Sequence, residues 1–312
     1  MTRDLMRDDR CVTKQSKTAR TLRRSSIVIM PAPTTVAASR SSSAPAPVFN
    51  DIAPHRRRRQ TLRNVYRSAL PSSGLVLDEF DARDVSAGVQ RMRVNANSSL
   101  DQHPHPDWLL AWFLRDRKLD ADKAREKLDK YLAWRSADGG AYDVASLRRD
   151  PDVDAEASTG KAVLLDELDA FGRPVIYVTL TKHDAETREL ARTCKLCVRL
   201  VDEALERMGC GYGDHNSITA SSSSAETLLC VFDLRNFTMK NADIEFVKFF
   251  IKCIFDYFPK RISQVLLIEP PWVFTPVWQI VKPLMGKYAS LVRQVKASDA
   301  AAYFNEDSTL FR

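Results

Sequence analysis

The sequence predicts an α/β protein in two parts: a small N-terminal helical bundle, then a mostly parallel β-sheet covered by helices. Three observations lead there. Apolar residues recur at helical spacing between positions 107 and 135; from position 162 the period shortens to that of strands; and from 190 to 296 long amphipathic stretches alternate with short apolar runs, the pattern of strand–helix–strand units. At 312 residues, 44% hydrophobic and 28% charged, the chain has enough apolar material for a real core and the balance of an ordinary globular protein.

The elements follow in order. Residues 1–67 read as a disordered basic tail, because Ser, Thr, Ala, Pro, Lys and Arg dominate it and leave too little apolar surface to offset ordering. This stretch carries 15 basic and four acidic residues, so the chain's formal charge of +7 splits into +11 for the tail and −4 for the remainder. Charge therefore says more about where the protein docks than about what it handles. The Ser-rich, acid-free stretch between Met30 and Asp51 suits an organelle transit segment, and Arg56 to Arg59 suit an anionic lipid surface or a nuclear address. A plain solvated tail fits as well. Residues 68–106 read as a linker that is partly ordered.

An N-terminal helical unit is expected over 107–150. Trp108, Leu109, Trp112 and Phe113 share one helical stripe; Asp120 is placed to cap a second helix carrying Ala124, Leu128, Tyr131, Leu132 and Arg135, which Gly139-Gly140 ends. After a charged linker, residues 151–312 form the second domain. Ala162–Leu168 and Val175–Leu180 read as strands around a turn at 169–174, and Leu190–Met208 as a long amphipathic helix. A Gly- and Ser-rich loop covers 209–224. Thr227–Asp233 reads as a central strand, apolar on both faces. Asn241 is expected to cap a buried helix reaching Phe258; Gln264–Glu269 reads as a strand, Thr275–Met285 as a helix capped by Thr275, and Leu291–Lys296 as the last strand.

The sequence lacks the loops that bring backbone amides onto a phosphate: there are only ten glycines, no G-x-G-x-x-G and no G-x-x-x-x-G-K-[ST]. It also lacks the G-x-S-x-G elbow of an α/β hydrolase. Cys194, Cys197, Cys210 and His215 have a spacing that suits zinc, but Cys194 and Cys197 already fit the apolar stripe of their helix and read better as buried thiols. His103, His105 and His183 are assigned surface roles by default, and Asp233 at its strand end either a site role or the capping of a loop. No catalytic residue, metal or cofactor is expected. With no run near ~18 apolar residues and no secretory signal, the expected setting is the cytoplasm with peripheral membrane contact, the tail allowing organelle targeting, and the cysteines reduced.

Four segments in this order resemble the CRAL-TRIO lipid-binding family: Trp108–Asp120 (WLLAWFLRDRKLD) with Trp134-Arg135, Asp169–Val175 (DAFGRPV), Val231–Phe237 (VFDLRNF) and Tyr257–Leu284 (YFPKRISQVLLIEPPWVFTPVWQIVKPL). The resemblance implies an α/β/α domain with a lipid cavity over one sheet face, gated by the helix at 275–285. It implies Leu228, Cys230, Phe232, Phe274, Trp278 and Val281 as cavity residues, and Arg117, Lys118, Arg261 and Lys282 as head-group contacts. The acidic residue usual before Arg261 is Lys260 here. The implied function is binding or transfer of a lipid, either a phosphoinositide or a more apolar one, by a monomer that touches membranes transiently and recognises no specific nucleic acid. The alternative is a regulatory adaptor that keeps the fold and binds membranes or protein partners through its surface and basic tail.

Overall fold

A computed structural model describes residues 74–75, 77–94, 98–101, 103, 105–208, 225–304 and 308–311. The tail over 1–67 and the loop over 209–224, with Cys210 and His215, lie outside the described residues.

The first layer is helical: α1 (Ala82–Arg93), α2 (Ser98–Asp101), α3 (Pro106–Asp116) and α4 (Ala121–Gly140), followed by two short helices, α5 (Val144–Arg149) and α6 (Pro151–Ser158). Helices α1 and α2 fall in the stretch read as linker, and α5 and α6 occupy what reads as a charged linker. The signal for α1 is present in the sequence, since Val85, Val89 and Met92 stand at i, i+4 and i+7 and all are buried. Gly88 lets α1 approach α3 closely: a Cβ there would fall 2.3 Å from Leu114 Cδ2. Asp120 caps α4 as its spacing predicts, accepting the Lys123 N–H at 3.1 Å. At the other end of α4, Gly139 and Gly140 take positive φ.

The second layer is a five-stranded sheet in sequential order: β1 (Ala162–Leu164), β2 (Val175–Thr179), β3 (Leu228–Asp233), β4 (Ile262–Ile268) and β5 (Val292–Val295). The first pair is antiparallel, joined through the turn at 169–174, and the other three are parallel. Asp169 builds that turn by accepting the N–H groups of Phe171 and Arg173 at 2.9 and 2.8 Å and the Arg173 guanidinium at 2.6 Å. Parallel crossovers are almost always right-handed, so a strand order that never reverses places every crossover helix on one face. Those helices are α7 (Leu190–Arg207), α8 (Ile244–Lys252) and α9 (Thr275–Met285). Their apolar residues form one cluster with Ile176, Leu228, Cys230, Val265 and Leu267. The opposite face, Val175, Tyr177, Leu229, Val231, Leu266 and Ile268, is closed by Ala300 of the short α10 (Ala297–Ala300) and by Tyr303 and Phe304 beyond it. Without a reversal the sheet has no switch-point crevice, the usual place for a nucleotide in an open α/β sheet.

Two expectations are corrected at local level. Asp243, not Asn241, caps α8 by accepting the Phe246 N–H at 2.9 Å; Asn241 closes the preceding 3-10 turn in a capping box with Thr238. The helix then passes into a π turn over Cys253–Tyr257, with Phe258 N–H reaching Cys253 O at 3.1 Å. In α9, Thr275 is the first helical residue and forms no side-chain cap; the preceding residue is Phe274, and Pro276 supplies the N-terminal preference.

The histidines also depart from their default surface roles. His103 is substantially buried near the Arg135 charge, its Nδ1 accepting the His105 N–H at 3.1 Å, and burial followed by that charge pushes its pKa down to about 4. A value below the unfolded one means the stability is full above pH ~6.5 and is lost as pH falls towards 4, by up to about 3 kcal/mol for this group. We expect Tm to drop between pH 7 and 4.5 in scanning fluorimetry, and His103→Gln to flatten part of that drop.

Candidate functional site

The crossover helices do not pack flat on the sheet. Between them and the strands lies a cavity of about 170 Å³. Its floor is two rungs of the parallel ladder: Ile176, Cys230 and Val265 in one, Val178, Phe232 and Leu267 in the next. Its roof is Leu196, Cys197, Leu200 and Val201 from α7, Phe246, Val247, Phe250 and Ile251 from α8, and Val277, Trp278, Val281 and Met285 from α9. The cavity explains a feature of α8. Its sequence is apolar almost all round, which predicts full burial, yet none of its residues is fully buried, because its inner side faces open space instead of packed atoms.

Five of the six expected cavity residues stand on the wall: Cys230, Phe232, Phe274, Trp278 and Val281. Leu228 does not. It lies one rung earlier, opposite Ile262, fully buried in solid core where Arg261 O receives its N–H. The four expected head-group residues do not meet at the cavity. Arg261 is only 2% exposed, with its guanidinium 3.1 Å from the Trp112 ring centroid and 4.1 Å from that of Trp108. It donates to Glu226 O and ties the helical layer to β4, a structural use of cation–π stacking. Arg117 and Lys118 are exposed in the turn after α3, with Lys118 at φ 52°. Lys282 is exposed on the outer side of α9. Lys260, in place of the acidic residue, pairs with Asp78 at 3.2 Å.

Asp233 serves its loop. It accepts the Tyr177 hydroxyl at 2.7 Å and the Arg235 N–H at 3.0 Å; burial works against its charge, but these bonds and the Arg235 guanidinium hold its pKa below the ordinary value. Cys194 and Cys230 are pushed up to about 12 by burial, and Cys197 well above its usual value, so these thiols remain protonated and present no thiolate. Among the described residues no group of three His, Cys, Asp or Glu side chains is arranged to hold a metal ion.

The α9 segment is apolar on two sides. Val277, Val281 and Met285 face inward at i, i+4 and i+8, while Ile280 and Leu284 are 54% and 43% exposed, and Trp272 just before the helix is 86% exposed. Its ends are suited to bending. Pro270 and Pro271 precede it; Pro283 lies in its last turn, and Gly286 follows at φ 52°, ψ −128°, a conformation that side chains resist.

A family comparison matches the CRAL/TRIO domain over residues 157–305. That stretch runs from the end of α6 past α10 and includes the whole sheet and all three crossover helices. The chain carries a CRAL/TRIO domain. Its relatives include the CRAL-TRIO domain-containing protein C3H8.02 of Schizosaccharomyces pombe, 28% identical over 66% of this chain and 44% of the relative. Phosphatidylinositol transfer protein CSR1 of Eremothecium gossypii is 28% identical over 57% of this chain and 39% of its own. Phosphatidylinositol transfer protein PDR17 of Saccharomyces cerevisiae is 24% identical over 74% and 63%. The chain thus spans less than half the length of the first two. The crystal structure of Sfh5 is similar in fold to this chain at a TM-score of 0.53 and 14% identity, over 72% of this chain and 85% of that one.

Proposed function

We propose that this CRAL/TRIO chain binds and transfers a lipid without bond chemistry, holding it over the sheet face and exchanging it through movement of α9. The observation that carries this reading is the coincidence of an apolar cavity with a roof helix that is apolar on its outer side as well. Each methylene moved from water into such a cavity gains about 0.8 kcal/mol. The small volume argues for movement: a cavity of about 170 Å³ holds one benzene-sized molecule, so on this reading a long-chain lipid enters as α9 swings outward between its proline and glycine ends.

The outer side of α9 gives the membrane contact a location. Trp272, Ile280 and Leu284 would enter the interfacial region while Lys282 and Lys287 stay with the head groups, the division of labour expected of an amphipathic surface element. The scattered positions of Arg117, Lys118, Arg261 and Lys282 favour an apolar ligand over a phosphoinositide held inside. Two relatives are named as phosphatidylinositol transfer proteins; were that lipid the ligand here, the same scatter would leave its head group outside the cavity.

Native mass spectrometry of the purified chain, with transfer of labelled lipids between vesicles, tests the reading. A co-purifying lipid and measurable transfer are expected; neither appearing over a broad lipid panel would overturn it. Replacing Trp272, Ile280 and Leu284 together with Ser should lower vesicle binding and transfer about tenfold or more while the bound lipid is retained.

A further inference from the structure

Helix α8 crosses a void with both of its ends tied down. At the N-terminal end Asp243 accepts the Phe246 N–H at 2.9 Å, accepts from Arg188 and lies 3.1 Å from His183 Nε2. At the other end the chain enters the π turn, where Cys253 and Ile254 are 1% and 4% exposed in the main core. Between these anchors Phe246, Val247, Phe250 and Ile251 border the cavity, so this side of the helix lacks the dispersion contacts that packed atoms would supply. Helix α7 differs: its Val198, Val201 and Ala204 are at most 1% exposed, and ion pairs Arg192–Asp152, Lys195–Asp150 and Arg199–Asp154 back it from outside. Of these two roof helices, α8 is the one free to yield.

What holds the middle of α8 lies on its other side. Phe249 is absent from the cavity wall; its ring centroid is 5.9 Å from that of Tyr142, at 24° between the planes. Tyr142 stands in the turn between α4 and α5 and is itself well fixed. Its ring stacks on Trp134 at 4.8 Å, and Trp134 stacks on Tyr257 of the π turn at 4.1 Å and 4°. The Tyr142 carbonyl accepts from Arg135 at 2.7 Å, and the next residue, Asp143, caps α5 by accepting the Ser146 N–H at 3.0 Å. The helical layer thus sets a rigid post behind a weakly backed helix, and the π turn at the end of that helix is a departure from the regular ladder at which helices bend. We propose that α8 is a second yielding wall of the cavity and that Tyr142 is the stop that sets how far it yields, so that the helical layer governs the width of hydrocarbon the cavity accepts. This rests on the reading that the cavity takes up a lipid, and it gives α8 the control of width while α9 serves as the entrance. Tyr142 is a positioning residue, acting through Phe249 from outside the wall.

The test offers the full chain two fluorescent hydrocarbons, diphenylhexatriene, a slender rod, and pyrene, a broad fused-ring plate, and follows backbone amide exchange by mass spectrometry. Tyr142→Leu and Phe249→Leu should each raise pyrene affinity about fivefold or more, leave diphenylhexatriene within about twofold, and speed exchange of the α8 amides about tenfold while those of α7 stay unchanged. Tyr142→Phe, which keeps the ring, should match the parent in all three readings. A Tyr142 that serves stability alone would lower Tm and weaken both probes together. That result, or an unchanged ratio of pyrene to diphenylhexatriene affinity in both variants, would overturn the stop and leave the cavity reading standing. If neither probe binds any of these chains, the cavity reading fails and the stop with it.

Discussion

Replacing Val281 with Trp should abolish lipid uptake and leave the protein folded. Val281 lies on the inner side of α9, nearly buried, and its side chain borders the cavity. An indole at this position would grow into space that now holds no protein atoms. The usual strain of core overpacking, about 1–3 kcal/mol, should therefore lie at its lower end, because no neighbour has to move aside. The same indole occupies the volume a ligand needs, and it adds apolar contact that favours the closed position of α9. We expect transfer between vesicles to fall at least tenfold, co-purifying lipid to disappear from native mass spectra, and Tm to stay within a few degrees of the parent. Transfer that survives would place the ligand elsewhere and favour an adaptor working through its surface. Val281→Ala is the counterpart: it enlarges the cavity, should keep binding, and lowers stability by about 1–2 kcal/mol through lost burial.

Much of this was legible in the sequence because strands buried on both faces leave a strong mark. Thr227–Asp233 could only be a central strand, and the parallel sheet follows from its alternation with amphipathic helices. Of the residues that the resemblance to the CRAL-TRIO family implies for a cavity, Cys230, Phe232 and Val281 border the void; Leu228, two residues before Cys230, carries the same pattern but sits one rung away from it. No pattern distinguishes a side chain facing packed atoms from one facing a void, which is also why α8 reads as a buried helix. The positions of the basic residues are hard to read from sequence for a different reason. Sequence records that Arg261 is a cation but not that two tryptophans from α3 enclose it, a relation across about 150 positions. His183 reads as a surface residue because one imidazole after a strand has no periodicity; its partner Asp243, which also accepts from Arg188, comes from another element.

Breaking the buried pair of Arg135 and Asp202 should be the most destabilising single change. Arg135 of α4 donates to Asp202 of α7 at 2.8 and 2.5 Å, to the Tyr142 carbonyl at 2.7 Å and to the Tyr131 hydroxyl at 3.0 Å. Tyr131, Trp134 and Phe258 surround the guanidinium with ring centroids 5.1 to 5.2 Å away. Burial opposes its charge, yet Asp202 and Tyr131 hold its pKa above the ordinary arginine value. Removing the cation leaves the Asp202 carboxylate buried without its partner, which costs about 3–5 kcal/mol. For the folded portion of this chain that corresponds to a fall in Tm on the order of 10 °C. Arg135→Met is the direct test, read by thermal and urea unfolding. Arg135→Lys should recover little, since an ammonium cannot make the two-pronged contact or stack as a plane. Arg135→Met with Asp202→Leu should recover a large part, because no charge is then stranded. A Tm unchanged in Arg135→Met would mean the pair does not hold the helical layer to α7. The consequence reaches the cavity: α7 supplies Leu200 and Val201 to the roof, so a loosened α4–α7 contact should weaken lipid retention even though Arg135 lies outside the cavity wall.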